Sequence, residues 1–159
     1  MDAIRTMFAA DVVSSSLASA FVIMNGNRYL LFQAKKLKAD ATKQKKEVGI
    51  LGRTSKGNKA TSVKYSLKMT IYNNTDLFTE MIQTYKKTGE DLYFDLQVTN
   101  EDPTSKAGRR SVILKDCNLD TATIAAFDVD GDWLEQDVDC TFEDFEVVQA
   151  FTMLDGMNA

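Results

Sequence analysis

The sequence predicts a mainly β protein, with many strands and one helix on one sheet or barrel. Three observations carry this. Val63, Tyr65, Leu67, Met69 and Ile71 alternate with Lys64, Ser66, Lys68 and Thr70, the period of a half-buried strand. Asn25-Gly26-Asn27 separates two apolar runs and supplies the positive-φ residues of a tight hairpin turn. Leu77, Phe78, Met81, Ile82 and Tyr85 fall at helical spacing, and they do so in one segment only.

In chain order, residues 1–19 read as a leader, helical in weak outline and Ser-rich at its end. Ser16-Leu17-Ala18-Ser19-Ala20 has the small-residue spacing of a signal-peptidase site. Asp11 and Ser14 to Ser16 interrupt the apolar stretch before it, and Met1-Asp2-Ala3-Ile4-Arg5 is not a positive start, so no secretory signal is expected. The β signal begins at Ala20, with Phe21–Met24 and Arg28–Phe32 as the arms of the first hairpin. Residues 39–60 hold few large apolar groups (Val48, Ile50, Leu51) among Gly49, Gly52 and Gly57. Such a segment is either a mobile loop or a long hairpin arm that folds against a partner.

After the strand ending near Ile71, Asn73-Asn74-Thr75 offers capping side chains, Lys86 and Lys87 suit a helix C-terminus, and Gly89 suits a left-handed cap. These bound a helix at about 75–88. Leu92, Phe94, Leu96 and Val98 alternate as a strand; Asn100 to Gly108, with Pro103, reads as a loop; Ser111–Cys117 and Thr121–Val129 read as two further strands. Asp130-Gly131-Asp132 is a turn. Val138, Cys140 and Phe142 then share a face, and the shift of parity to Phe145 and Val147 predicts a bulge at Glu143-Asp144. The tail after Phe151 is expected to fray. The 159 residues read as one domain with no linker, and no apolar run approaches the ~20 residues of a membrane span.

Charge is strongly polarised. Between Lys35 and Lys68 eleven basic residues face only Asp40 and Glu47; after Lys115 there is no Lys or Arg, but twelve acidic residues follow. A net charge of −4 conceals a basic middle and an acidic end, so that one copy can present a basic surface to the acidic surface of the next.

Candidate chemistry is thin. The chain has no histidine, which removes His-based triads and His-ligated zinc. Cys117 and Cys140 are not spaced as a CxxC pair and read as buried free thiols. Gly52-Arg53-Thr54-Ser55-Lys56-Gly57-Asn58-Lys59 misses a phosphate-binding loop because Asn58 stands where a lysine is needed and a strand follows instead of a helix. Asp128-Val129-Asp130-Gly131-Asp132 misses a calcium loop because Trp133 and Asp139 stand where a glycine and a glutamate belong. Glu143, Asp144 and Glu146 have the spacing of any wet strand face. No catalytic, metal or cofactor site is expected. A nucleic-acid-binding β-domain using the basic 35–68 segment is the alternative reading.

The order of short motifs adds a resemblance. Lys46-Glu47-Val48-Gly49-Ile50-Leu51-Gly52-Arg53 and Lys56-Gly57-Asn58-Lys59 precede an alternating strand. A helix then ends in Lys87-Thr88-Gly89-Glu90-Asp91, with Tyr93-Phe94 beyond it. Val112-Ile113-Leu114-Lys115-Asp116-Cys117-Asn118 and Thr141-Phe142-Glu143-Asp144-Phe145-Glu146 complete the series. Over roughly residues 28–147 it resembles the tail tube proteins of contractile phage tails, particularly PBSX-type phage-like elements; the leader is longer than the resemblance implies.

The resemblance implies an antiparallel β-sandwich or half-barrel with one flanking helix, assembling into hexameric rings with a shared inner β-barrel. The rings stack into a tube that conducts DNA in a phage or breaches an envelope in a phage-tail-like bacteriocin. Implied partners are further copies of the chain, the tail sheath, the baseplate and the tail terminator, without membrane insertion by the monomer. The implied location is the tail of a virion or phage-like particle assembled in the bacterial cytoplasm. Within that frame Lys45, Lys46, Ile50, Leu51, Arg53, Lys56 and Lys59 are expected at the contact between rings. Asp128, Asp130, Asp132, Glu135, Asp137 and Asp139 are expected either to meet that basic arm or to face the lumen.

Overall fold

The structure, a computed structural model, describes residues 6–157. Its strands are β1 (Ala18–Met24), β2 (Asn27–Leu30), β3 (Ala34–Val48), β4 (Gly57–Tyr72), β5 (Tyr93–Glu101), β6 (Arg109–Ala122), β7 (Glu135–Thr141) and β8 (Asp144–Gln149); the helix α1 (Leu77–Thr88) lies between β4 and β5. Every strand pairing described is antiparallel. The chain divides into two compact units. One comprises the described parts of Met1–Phe32, Tyr93–Cys117 and Asp144–Ala159; the other comprises Gln33–Leu92 and Asn118–Glu143.

In the first unit, β1 and β2 form the expected hairpin. Met24 pairs with Asn27 across a two-residue turn in which Asn25 and Gly26 have φ of 52° and 77°, the primed geometry that matches strand twist. On its other edge β1 pairs with β5, setting Val22 opposite Leu96, both fully buried. Ala20, Leu31, Phe94, Val112, Leu114 and Cys117 complete this unit's apolar core. Burial pushes the Cys117 thiol up to about 12, with the Asp95 carboxylate adding to the effect. Both cysteines are buried and neither is in a disulfide.

From Thr6 on, the leader is not an α-helix. Residues preceding Thr6 lie outside the described residues; beyond them the chain makes a 3-10 turn at Ala9–Asp11 and then runs to β1. Asp11 and Ser14 are hydrogen-bonded to the 102–108 loop: Ser105 Oγ donates to the Asp11 carbonyl at 2.7 Å, Lys106 N to Asp11 Oδ1 at 3.0 Å, and Ser14 N to Asp102 Oδ2 at 2.9 Å. Short polar residues that bond to backbone elsewhere compete with helix formation, which is why the weak helical outline is overridden. The tail is also held at one point, where Thr152 N donates to the Ala107 carbonyl at 2.7 Å.

In the second unit, β4 is flanked by β3 and β7, and β7 also pairs with the last residues of β6. Leu67, Met69 and Ile71 of β4 and Val138 and Cys140 of β7 are buried on one face. Gln136 shares that face, and its Nε2 donates to the Thr75 carbonyl and to Asn73 Oδ1 in the approach to α1. That places the helix on the buried side, with Phe78 and Met81 as its buried residues. The helix stops at Gly89, which takes φ 73° as its left-handed cap. Thr75, not Asn73, supplies the side-chain oxygen at the N-terminus: Leu77 N donates to Thr75 Oγ1 at 3.4 Å.

Two sequence expectations are corrected. Thr121–Val129 is not a separate strand: β6 runs on to Ala122, and residues 123–134 form an irregular connection. The apolar pattern breaks because Asp116 takes φ 54°, with its N–H donated to Asp95 Oδ1, so burial parity shifts between Leu114 and Cys117. The expected bulge at Glu143-Asp144 is instead a break between two strands. β8 pairs with β6 up to Lys115↔Asp144, and β7 pairs with β6 from Asn118↔Thr141.

Candidate assembly surfaces

The basic segment is the distal part of the β3–β4 hairpin. β7 supports β4 only over Ser66–Tyr72, whereas β3 and β4 stay paired out to Val48↔Gly57. Among the described residues the ribbon beyond Ser66 therefore has two strands and no third, over about eight residues or ~25 Å, with residues 49–56 as its tip. The β4 alternation continues past the core: Tyr65 stacks on Phe142 at 5.0 Å, but Val63, two residues further out, is exposed. A two-stranded ribbon in water is marginal on its own.

All seven residues expected at the ring–ring contact lie on this arm. Lys45 stands opposite Ala60 and Lys46 opposite Lys59, next to a bulge between Gln44 and Lys45. Ile50, Leu51, Arg53 and Lys56 form the tip. Arg53 N donates to the Ile50 carbonyl at 3.2 Å and its guanidinium to Ser55 Oγ at 3.2 Å, which closes the turn. The Leu51 side chain projects fully into solvent at 103% relative exposure. Lys56 makes an exposed 3.8 Å pair with Glu47, too loose and wet to fix the arm. The P-loop-like stretch is thus a hairpin tip followed by a strand.

The six acidic residues fall into two groups. Glu135, Asp137 and Asp139 alternate along β7 with the buried Gln136, Val138 and Cys140, and so share the face opposite α1. Each has a basic or polar neighbour there. Lys35 Nζ lies 2.6 Å from Glu135 Oε1, which also accepts the Trp133 indole N–H at 2.8 Å; the Lys35 bond first and the Trp133 bond second hold the Glu135 carboxyl below its ordinary range, and the Glu135 carboxylate raises Lys35. Thr70 Oγ1 donates to Asp137 at 2.9 Å, and Asp139 stands opposite Lys68. With Lys36 opposite Thr70 and Lys38 opposite Lys68, this open face is a mixed row of both signs.

Asp128, Asp130 and Asp132 lie in the 123–134 connection. Asp128 organises the turn: its Oδ1 accepts from Asp130 N at 3.0 Å and its carbonyl from Gly131 N at 3.2 Å. Among the described residues none of the three is in an ion pair. Around them Ile124, Phe127, Val129 and Trp133 are exposed, Phe127 at 89% and Val129 at 90%. The acidic turn at Asp128–Asp132 was the available signal that the chain leaves the sheet there.

The fold with its exposed arm is matched among known proteins. The profile of the phage tail tube protein family matches residues 5–149, and the chain belongs to that family, whose role is structural. It is 42% identical over 113 residues to the phage-like element PBSX protein XkdM of Bacillus subtilis (strain 168), spanning 71% of this chain and 77% of that one. Among solved structures, a chain of the anti-feeding prophage baseplate superposes with a TM-score of 0.65 over 93% of this chain and 97% of its own, at 11% identity. The tail tube of SPP1 superposes with a TM-score of 0.63 over 90% of this chain and 81% of its own, at 9% identity. At such identities the likeness is one of fold.

Proposed function

We propose that this chain forms the inner tube of a contractile phage or phage-like tail. Copies join edge to edge into hexameric rings around a shared inner β-barrel, and the arm of each copy reaches the next ring. The observation that carries the reading is the arm: a ~25 Å two-stranded ribbon with a solvent-projected Leu51 has no reason to persist unless a partner covers it. The lysines along β3 guard an edge strand against indiscriminate pairing while leaving it open to a matched one.

Within the second unit α1 covers one sheet face, so the opposite face, with Glu135, Asp137 and Asp139, is the one free to line a channel. Carboxylates interleaved with lysines deny DNA phosphates a continuous basic track, so a nucleic acid slides along such a wall. The tube serves as a conduit for DNA in a phage or as an envelope-penetrating spike in a bacteriocin-like particle. It assembles in the host cytoplasm with a sheath, a baseplate and a terminator as partners. The anti-feeding prophage baseplate likeness supports the contractile setting.

Reversing three arm charges together, Lys45→Glu, Lys46→Glu and Lys56→Glu, tests the arm. All three are exposed, so the subunit keeps its far-ultraviolet spectrum and melting behaviour. Negative-stain microscopy should then show rings or single subunits in place of tubes. Tubes of ordinary length from the triple variant would refute the assignment.

A further inference from the structure

We infer that the receptor for the arm is the 123–134 connection of the next copy, and that Asp128, Asp130 and Asp132 meet the arm while Glu135, Asp137 and Asp139 do not. The inference rests on the stacked-tube reading and names the partner surface within it.

Position within the second unit comes first. The arm tip lies where β4 begins, at Gly57, which pairs with Val48. The 123–134 connection lies where β4 ends: Tyr72 pairs with Glu135, and β6 ends at Ala122 opposite Val138. The two features sit at opposite ends of one sixteen-residue strand, ~50 Å apart if extended. A chain cannot place its own tip on its own connection. A tip at one end and a receptor at the other make a heterologous contact, which repeats along the strand direction without closing.

Chemistry points the same way. The tip offers Ile50 and Leu51 among Lys45, Lys46, Arg53, Lys56 and Lys59; the connection offers Ile124, Phe127 and Val129 among three aspartates. Each surface is apolar at the centre with a rim predominantly of one sign, Glu47 beside Lys56 being the one acidic group at the arm tip, and the dominant signs are opposite, so docking buries the apolar groups and pairs the rims. Glu135, Asp137 and Asp139 already have Lys35, Thr70 and Lys68 beside them in the subunit. Among the described residues the loop aspartates have no cation at ion-pair distance, which leaves their charge for a partner. Trp133 fixes one end of the connection: it donates to Glu135, meets Tyr72 edge-on at 6.4 Å between ring centres, and lies 5.8 Å from the Lys35 ammonium.

The test is disulfide trapping with Thr54→Cys and Ala126→Cys in one chain, which leaves Leu51 and Val129 in place. Both positions are exposed and both native cysteines are buried. Purified protein is assembled, oxidised with diamide and run on non-reducing gels, with microscopy of the same sample. The expected result is a ladder of covalent multimers that either single-cysteine variant fails to give. Adding Asp128→Lys, Asp130→Lys and Asp132→Lys should lower the ladder yield about tenfold or more. The arm reversals Lys45→Glu, Lys46→Glu and Lys56→Glu in that background should restore much of it. Tubes without a ladder, or a ladder indifferent to the aspartate reversals, overturn the receptor assignment and leave the tube reading standing. Neither tubes nor a ladder from the double-cysteine chain and the unsubstituted chain alike overturns both.

Discussion

Replacing Leu51 with serine separates folding from assembly. In the subunit the side chain touches nothing that screens it from water, at 103% relative exposure, so Leu51→Ser should move folding stability by no more than about 0.5 kcal/mol. In the proposed arm–ring contact the same side chain is buried. A buried leucine contributes about 1.5–3 kcal/mol relative to an exposed one, so each arm loses about 2 kcal/mol of docking energy. In a hexameric ring the arms act at one junction, and about six such losses sum to roughly 12 kcal/mol, enough to suppress stacking at any practical concentration. Two assays on one preparation read the two quantities. Thermal unfolding of the dilute subunit should be unchanged, and pelleting of tubes should vanish. Pelleting at the ordinary critical concentration would refute the claim that Leu51 is buried between rings. A melting temperature lowered by several degrees would show that Leu51 belongs to the subunit's own core.

Phe78→Ala should act in the opposite sense. Phe78 is fully buried on α1, and its loss should cost about 3–5 kcal/mol in chemical denaturation, well before any effect on ring contacts is read. The Cys117 thiol, with its pKa pushed up to about 12, should resist alkylation at neutral pH in the native protein and react only after denaturant is added, as followed by mass spectrometry. The Asp102 carboxylate is held below its ordinary value of 3.8 by the N–H groups of Ser14 and then Thr104. A folded-state value below the unfolded one contributes stability above the unfolded value, and that stability is lost as pH falls through the folded value. Residues 9–17 should therefore be protected from amide exchange near neutrality and lose protection selectively below about pH 3.8, with Asp102→Asn removing the protection at all pH values.

The hairpin at Asn25-Gly26, the β4 alternation and the helix ended by Gly89 were legible because each is dictated locally, by turn dihedrals, face periodicity or a left-handed cap. The tail tube family was legible from the order of short motifs, and the profile match over residues 5–149 agrees. What was misread depends on contacts distant in sequence. β6 runs on through Asp116 because an N–H finds Asp95, twenty-one residues earlier, and no local pattern encodes that. The leader is held by Asp102 and Ser105, close to ninety residues away. Residues 123–129, the greater part of the expected Thr121–Val129 strand, carry Ile124, Phe127 and Val129, yet lie in the connection. Apolar residues left exposed on a surface and apolar residues turned inward toward a core have the same sequence signature.

Between Lys43 and Lys64 the sequence shows why the arm carries little core: it has charges on both strands and three glycines near its tip. That composition left a loop and a ribbon equally open. The structure forms a ribbon because β3 and β4 keep their register to Val48↔Gly57. The division of the acidic residues was also beyond local reading. Glu135 differs from Asp132 chiefly in having Lys35 at 2.6 Å, a hundred residues away.

The most direct test of the account is a cryo-electron microscopy reconstruction of the filaments formed by the purified chain over a concentration series. The account predicts stacked rings around an open channel, with residues 49–56 of each copy crossing the junction to the next ring. Filaments in which that segment folds back within its own ring would contradict it, as would a protein that stays monomeric at every concentration.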